Sequence, residues 1–155
     1  VYLESRSEDE HGKGRIGIRE LLHATLRLRP DRIVVGEIRG AEALDMLQAI
    51  TSGHGGSMTT VHANTPRDAL LRLETMALMA KEELPHAALR VQVASAVDLV
   101  VQIGRNLQGR RRVLQISALR KQLFEGTYAL RPLFIENEQG ELIRCPDAAA
   151  KETLS

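Results

Sequence analysis

"RPDRIVVGEIRGAEALDMLQAITSGHGGSMTTVHAN", Arg29 to Asn64, is the stretch whose reading decides the fold. Ile33, Val34 and Val35 are consecutive and β-branched with no polar alternation. This predicts a central parallel strand covered on both faces. "AEALDMLQAITSG" follows, rich in strong helix formers and stopped at Gly53, a residue suited to left-handed backbone at a helix terminus. "GSMTTVH" then reads as a second strand. Strand, helix and strand in this order predict a β-α-β unit whose two strands point the same way through a right-handed crossover. Glu37 closes the first strand and His62 the second, so both are placed on the C-terminal rim of one sheet, where ligands of α/β proteins bind.

Outward from this unit the alternation continues. "VYLESR" alternates apolar and polar residues as a strand does, and the polar, glycine-rich stretch Ser7 to Gly17 predicts a mobile loop. Ile18, Leu21, Leu22, Thr25 and Leu26 keep helical spacing, with Arg27 and Arg29 at the end and Pro30 closing the helix. "NTPRDALLRLETMALMA" opens a further helix with Thr65 as N-cap, Pro66 at the first position and Asp68 in the first turn. Another helix runs from Pro85 to about Ala96 and leads into "VDLVVQIGR", an apolar strand. Beyond Arg105 come short strands in "NLQGRRRVLQISAL", "GTYALRPLFIE" and "GELIRC", with a turn at Glu136 to Gly140. The expected fold class is therefore α/β: a parallel part over residues 1–105, antiparallel trim over 106–145 and a flexible tail over 146–155.

At 155 residues with 43% hydrophobic content the chain suits one domain with a real core. Lysine plus arginine (21) nearly balance aspartate plus glutamate (20), and the net charge of +1 gives no reason to expect nucleic acid as partner. Cys145 stands alone, which rules out an internal disulfide or a cysteine cluster for zinc and fits a reducing cytoplasm. No apolar run approaches the ~20 residues that cross a bilayer. The chain opens at Val1 within a strand-like pattern, which predicts a piece of a longer protein.

A carboxylate at the rim would hold a metal-bound water or orient a nucleophilic one, and an imidazole would donate to an anionic oxygen. Phosphoryl transfer uses both functions. The plainer alternatives are that Glu37 pairs with Arg39 or caps a helix, and that His62 bonds a neighbouring loop. His54, set among Gly53, Gly55 and Gly56, reads as a turn residue, and His11, His23 and His86 carry no predicted role. Most arginines near the corner, among them Arg27, Arg29, Arg32 and Arg39, read as surface charges, with one or two free to meet phosphate. "GRRR" at Gly109 to Arg112 reads as a charged hairpin turn, since only 3% of the chain is aromatic and nothing interleaves with it for stacking on bases. No stretch fits the phosphate-cradling pattern G-x-x-x-x-G-K-[ST]; in "HGKGR" a glycine stands where a serine or threonine should follow the lysine. On these residues the chain carries half of a nucleotide site.

"LRPDRIVVGEIRGAEALDMLQAITSGHGGSMTTVHANTPRDALLRLE" resembles the Walker B and His-box region of the type II and type IV secretion ATPases, in wording closest to the CpaF-like proteins of Flp/Tad pilus assembly. "ASAVDLVVQIGR" and "GRRRVLQISAL" continue the resemblance. It implies part of a RecA-like P-loop NTPase domain, cytoplasmic and peripheral at the inner membrane, that works as a homo-hexamer with inner-membrane platform proteins and uses ATP and magnesium to drive secretion or pilus assembly. It also implies that Glu37 is the catalytic Walker B glutamate, holding magnesium through water, and that His62 lies near the terminal phosphate. Gly36 would adjoin the nucleotide, and Arg6 or Arg15 would match the family's phosphate-approaching arginines. The Walker A loop is absent from this sequence, so the isolated chain is expected to be inactive. Two other readings stand beside this one: a binding or structural half-domain without nucleotide chemistry, and metal-dependent hydrolysis by His54, Glu37 and His62. The second is weakened by ligand spacing unlike that of zinc enzymes.

Overall fold

The computed structural model describes residues 1–11, 13–105 and 109–146. Along them run α1 (Ile18–Arg27), β1 (Val34–Val35), α2 (Glu42–Thr51), β2 (Met58–Thr59), α3 (Pro66–Leu78), α4 (His86–Ala96), β3 (Leu99–Arg105), β4 (Arg111–Leu119), β5 (Leu130–Glu136) and β6 (Leu142–Arg144). β1 and β2 pair in parallel, Val34 opposite Met58 and Val35 opposite Thr59, with α2 as their connection. The expected β-α-β unit is therefore present.

α2 lies at the centre of the helical layer. Six of its ten residues are buried, Ala43, Leu44, Asp45, Met46, Leu47 and Ala49, because α1, α3 and α4 all pack on it. Leu70 of α3 and Leu89 and Val93 of α4 close the same core. Each such leucine contributes roughly 1.5–3 kcal/mol by leaving water. The helix ends follow local chemistry: the Asp68 N–H donates to Thr65 Oγ1 at 3.1 Å with Pro66 at the first position, and α2 gives way through Ser52 to Gly53, whose φ of +116° few other residues would adopt.

β3 to β6 form a second sheet in sequence order, antiparallel throughout. A bulge on β4 lies opposite the step from Gln102 to Ile103, where Leu114 is the extra residue between the partners of those two positions. Leu114 folds against Gly104, at which a Cβ would stand 2.4 Å from Leu114 Cδ1, so a larger residue there would have to displace the Leu114 side chain. The turn after β5 has the expected form, with the Gly140 N–H donating to Asn137 O and the Asn137 N–H to Glu141 O.

Three expectations are corrected. The strand "VDLVVQIGR", assigned to the parallel part ending at residue 105, is β3 of the antiparallel sheet, because its hydrogen-bonding partner is β4 and not β1 or β2. The strand Ile33–Val35 is not covered on both faces: Ile33 and Val35 are buried but Val34 is 68% exposed, as is most of its partner Met58, since the helices cover one face of this two-stranded sheet. "VYLESR" forms no strand beyond a single bridge between Arg6 and Ile16, because no described strand runs beside residues 1–5 to take their backbone groups. The expected loop over 7–17 is present, and its described residues return on themselves: Asp9 Oδ1 accepts from the His11 and Lys13 N–H groups, and Arg6 and Ile16 exchange backbone hydrogen bonds of 2.9 Å. The tail expected to be flexible lies, from residue 147, outside the described residues.

Candidate functional site

The β1–β2 pairing continues past the short strands, since the Ile38 N–H donates to Thr60 O at 3.1 Å and Thr60 Oγ1 donates to Gly36 O at 2.6 Å. Glu37 and His62 consequently leave the sheet at the same end, as their sequence positions predicted. His62 Nε2 lies 2.8 Å from Glu37 Oε1, and Arg39 Nη2 lies 2.6 Å from Glu37 Oε2. The carboxylate is partly sheltered, 22% exposed, whereas the imidazole and guanidinium are 80% and 77% exposed. The two residues thus share one rim, and the plain ion pair of Glu37 with Arg39 is present in the same cluster.

Arg39, as hydrogen-bonding partner and as nearby charge, holds the Glu37 carboxyl below the usual carboxylate range, with smaller help from His62 and Arg72; partial desolvation opposes it. Glu37 is therefore ionised at neutral pH. Oε1 is buried and, although within ion-pair distance of His62, has no hydrogen-bond partner with proper geometry. A buried carboxylate oxygen with vacant acceptor capacity is suited to receive a water or a hydrated cation.

Gly36 is exposed, and nothing lies within 4 Å of where its Cβ would be, so backbone access to this corner is open. The ends of α2 help to shape it: Glu42 Oε1 accepts from the Arg39 and Gly40 N–H groups at 2.8 and 3.0 Å, which fixes the backbone from which Arg39 projects. Arg6 and Arg15 are not brought to the pair. Arg6 Nε donates to Gly14 O at 2.7 Å, Arg15 is exposed, and neither makes an ion pair or hydrogen bond with Glu37 or His62. His54 is held at its turn, with Nδ1 3.2 Å from Ala49 O. Among the described residues no group of three His, Cys, Asp or Glu side chains converges to hold a metal ion. Sequence reasoning missed Arg72 of α3, whose charge acts on Glu37; nothing local marks it, because its approach depends on how α3 packs.

The parallel β-α-β unit with Glu37 and His62 at adjoining strand ends defines an α/β domain with a polar rim where ligands of such folds bind. Comparison with known proteins makes this specific. The family model described as "Type II/IV secretion system protein" matches residues 4–138, and the chain belongs to that family. It is 46% identical over 121 residues to a putative conjugal transfer protein of Mycobacterium tuberculosis strain H37Rv, covering 78% of this chain and 34% of that protein. It is 42% identical over 120 residues to the type IV secretion system protein PtlH of Bordetella pertussis, covering 75% and 35%. The crystal structure of the VirB11 ATPase from the Brucella suis type IV secretion system, in complex with sulphate, superposes with a TM-score of 0.63 at 32% identity over 66% of this chain and 32% of that one. The fold is accordingly part of a RecA-like α/β domain. The chain spans about a third of the length of these relatives. Among the described residues no helix is long and apolar enough to cross a membrane.

Proposed function

We propose that this chain is the water-side and phosphate-sensing part of a secretion ATPase. The observation that carries the reading is the 2.8 Å approach of His62 to Glu37 at adjoining strand ends. In a protein that also carries a phosphate cradle, Glu37, ionised at neutral pH, would orient the attacking water and help to hold magnesium. Magnesium, when bound with ATP, neutralises charge that develops on the transferring phosphoryl group. His62 and Arg39, both exposed beside the carboxylate, are placed to donate to an anionic oxygen, and Gly36 leaves room for it. Arg6 and Arg15 act, in this reading, on the phosphates of a site completed by other elements or by a neighbouring copy.

The names of the relatives, conjugal transfer and type IV secretion proteins and an ATPase, support transport of macromolecules driven by ATP. We assign the whole protein to a homo-hexamer, cytoplasmic and peripheral at the inner membrane, working with platform proteins there, and within the family to the CpaF-like Flp/Tad branch on the wording of its motifs. Coding sequence upstream of Val1 tests the reading: it should contain G-x-x-x-x-G-K-[ST] within about 100 residues, the scale of one domain. Its absence there would leave a structural half-domain, the second reading, which the Arg39–Glu37 ion pair of 2.6 Å favours.

A further inference from the structure

His62 is 80% exposed, so packing of its own side chain does little to place it. Its position against Glu37 depends on the backbone that carries it. On the N-terminal side that backbone is tied to β1 through Thr60, and on the C-terminal side Thr65 caps α3. Between them the Ala63 carbonyl accepts a hydrogen bond of 3.2 Å from Gln102 Nε2, delivered by β3 of the other sheet.

β3 leaves apolar side chains in solvent and seats one amide on its sheltered face. Leu99, Val101 and Ile103 are 55%, 49% and 61% exposed, while Val100 and Gln102 turn to the less exposed face. An amide withdrawn from water in place of an apolar side chain costs free energy unless it is hydrogen-bonded, and its bond here goes to the peptide next to His62. The bulge on β4 lies at this step of the ladder, and Gly104 makes room for it, an arrangement that re-aims neighbouring side chains. We infer that Gln102 is a positioning residue: by fixing the Ala63 peptide it sets His62 against Glu37 and couples the antiparallel sheet to the candidate site. The inference rests on the reading of Glu37 and His62 as that site.

The test is NMR of the 155-residue chain without nucleotide, comparing the parent with Gln102→Leu, which keeps the bulk and removes the donor. The Asn64 amide cross-peak should move, because its nitrogen is bonded to the carbonyl that loses its partner. The His62 ring resonances should move as well, while those of His23 and His86, held at Asp45 and Glu74, stay in place. In a Glu37→Gln background the same substitution should still move the Asn64 amide but leave the His62 ring unchanged. Should Gln102→Leu lose its fold, Gln102→Asn, which keeps an amide but not the reach, is expected to give the same pattern. An unmoved His62 ring in the parent background, or an equal ring shift in both backgrounds, overturns the positioning role. Neither outcome bears on the ATPase reading, which is tested separately by turnover of Glu37→Gln.

Discussion

Three times among the described residues one carboxylate meets a histidine and an arginine, and the three places differ in what surrounds them. Asp45 on α2 is 8% exposed and takes Arg19 Nε and His23 Nε2 of α1, each at 2.8 Å. Glu74 on α3 is 5% exposed and takes His86 Nε2 at 2.6 Å and Arg90 Nε at 3.3 Å from α4. The same carboxylate also lies by the buried Tyr128 hydroxyl, which desolvation and the neighbouring charge push far above the ordinary phenol range. These two trios clamp one helix to the next. The third, Glu37 with His62 and Arg39, joins two strand ends, and its imidazole and guanidinium stand in solvent. Composition alone does not distinguish a clamp from a site. The difference lies in the carboxylates: Glu37 is 22% exposed and can meet a ligand without being uncovered, whereas Asp45 and Glu74, 8% and 5% exposed, are buried between helices although His23 and His86 themselves are 61% and 53% exposed.

The contrast can be broken by mutation. The largest effect is expected at the rim: in a protein carrying this segment with its phosphate cradle, Glu37→Gln should lower ATP turnover by about 10²- to 10⁴-fold. Asp45→Asn should lower it no further than the loss of folded protein, as steady-state hydrolysis and circular dichroism together would show. For stability the order reverses. Glu74→Ala should cost about 1–3 kcal/mol in urea denaturation, because a sheltered partner of both His86 and Arg90 is removed. Thr65→Ala, which leaves the Asp68 N–H without its cap, should cost about 1 kcal/mol by the same measurement.

The smallest effect is pH-dependent. Glu37 has a depressed folded-state pKa, so the unfolded chain binds its proton first and the ion pair adds stability above the unfolded carboxylate value of about 4.3. That contribution is lost as pH falls through the folded value. The urea midpoint of Glu37→Gln should lie slightly below that of the parent at pH 7 and meet it in acid. A gap that widens on acidification would contradict the assigned direction.

The β-α-β unit was legible because its signals are local: helix formers between two apolar runs, Gly53 after one helix, Thr65 and Pro66 before the next. From that unit the meeting of Glu37 and His62 followed through the parallel register alone. What could not be read depends on distant partners. The apolar alternation of Leu99, Val101 and Ile103 marks a strand but does not say which strand it pairs with, and it pairs antiparallel with β4. Val34 carries the same β-branched signal as Val35, yet only the helices decide which of them is buried. His23 and His86, given no role from sequence, gained partners because α1 lies on α2 and α3 on α4. Gln102 carried no signal at all, its partner being 39 residues away in sequence.

The central claim is that Glu37 and His62 face one terminal phosphate. It is tested most directly by a crystal structure of the longer protein with magnesium and a non-hydrolysable ATP analogue. The account predicts the γ-phosphate within hydrogen-bond reach of His62, about 3 Å, and a magnesium-bound or attacking water on Glu37. A nucleotide seated elsewhere, with the Glu37–Arg39 ion pair intact and His62 in solvent, would contradict it.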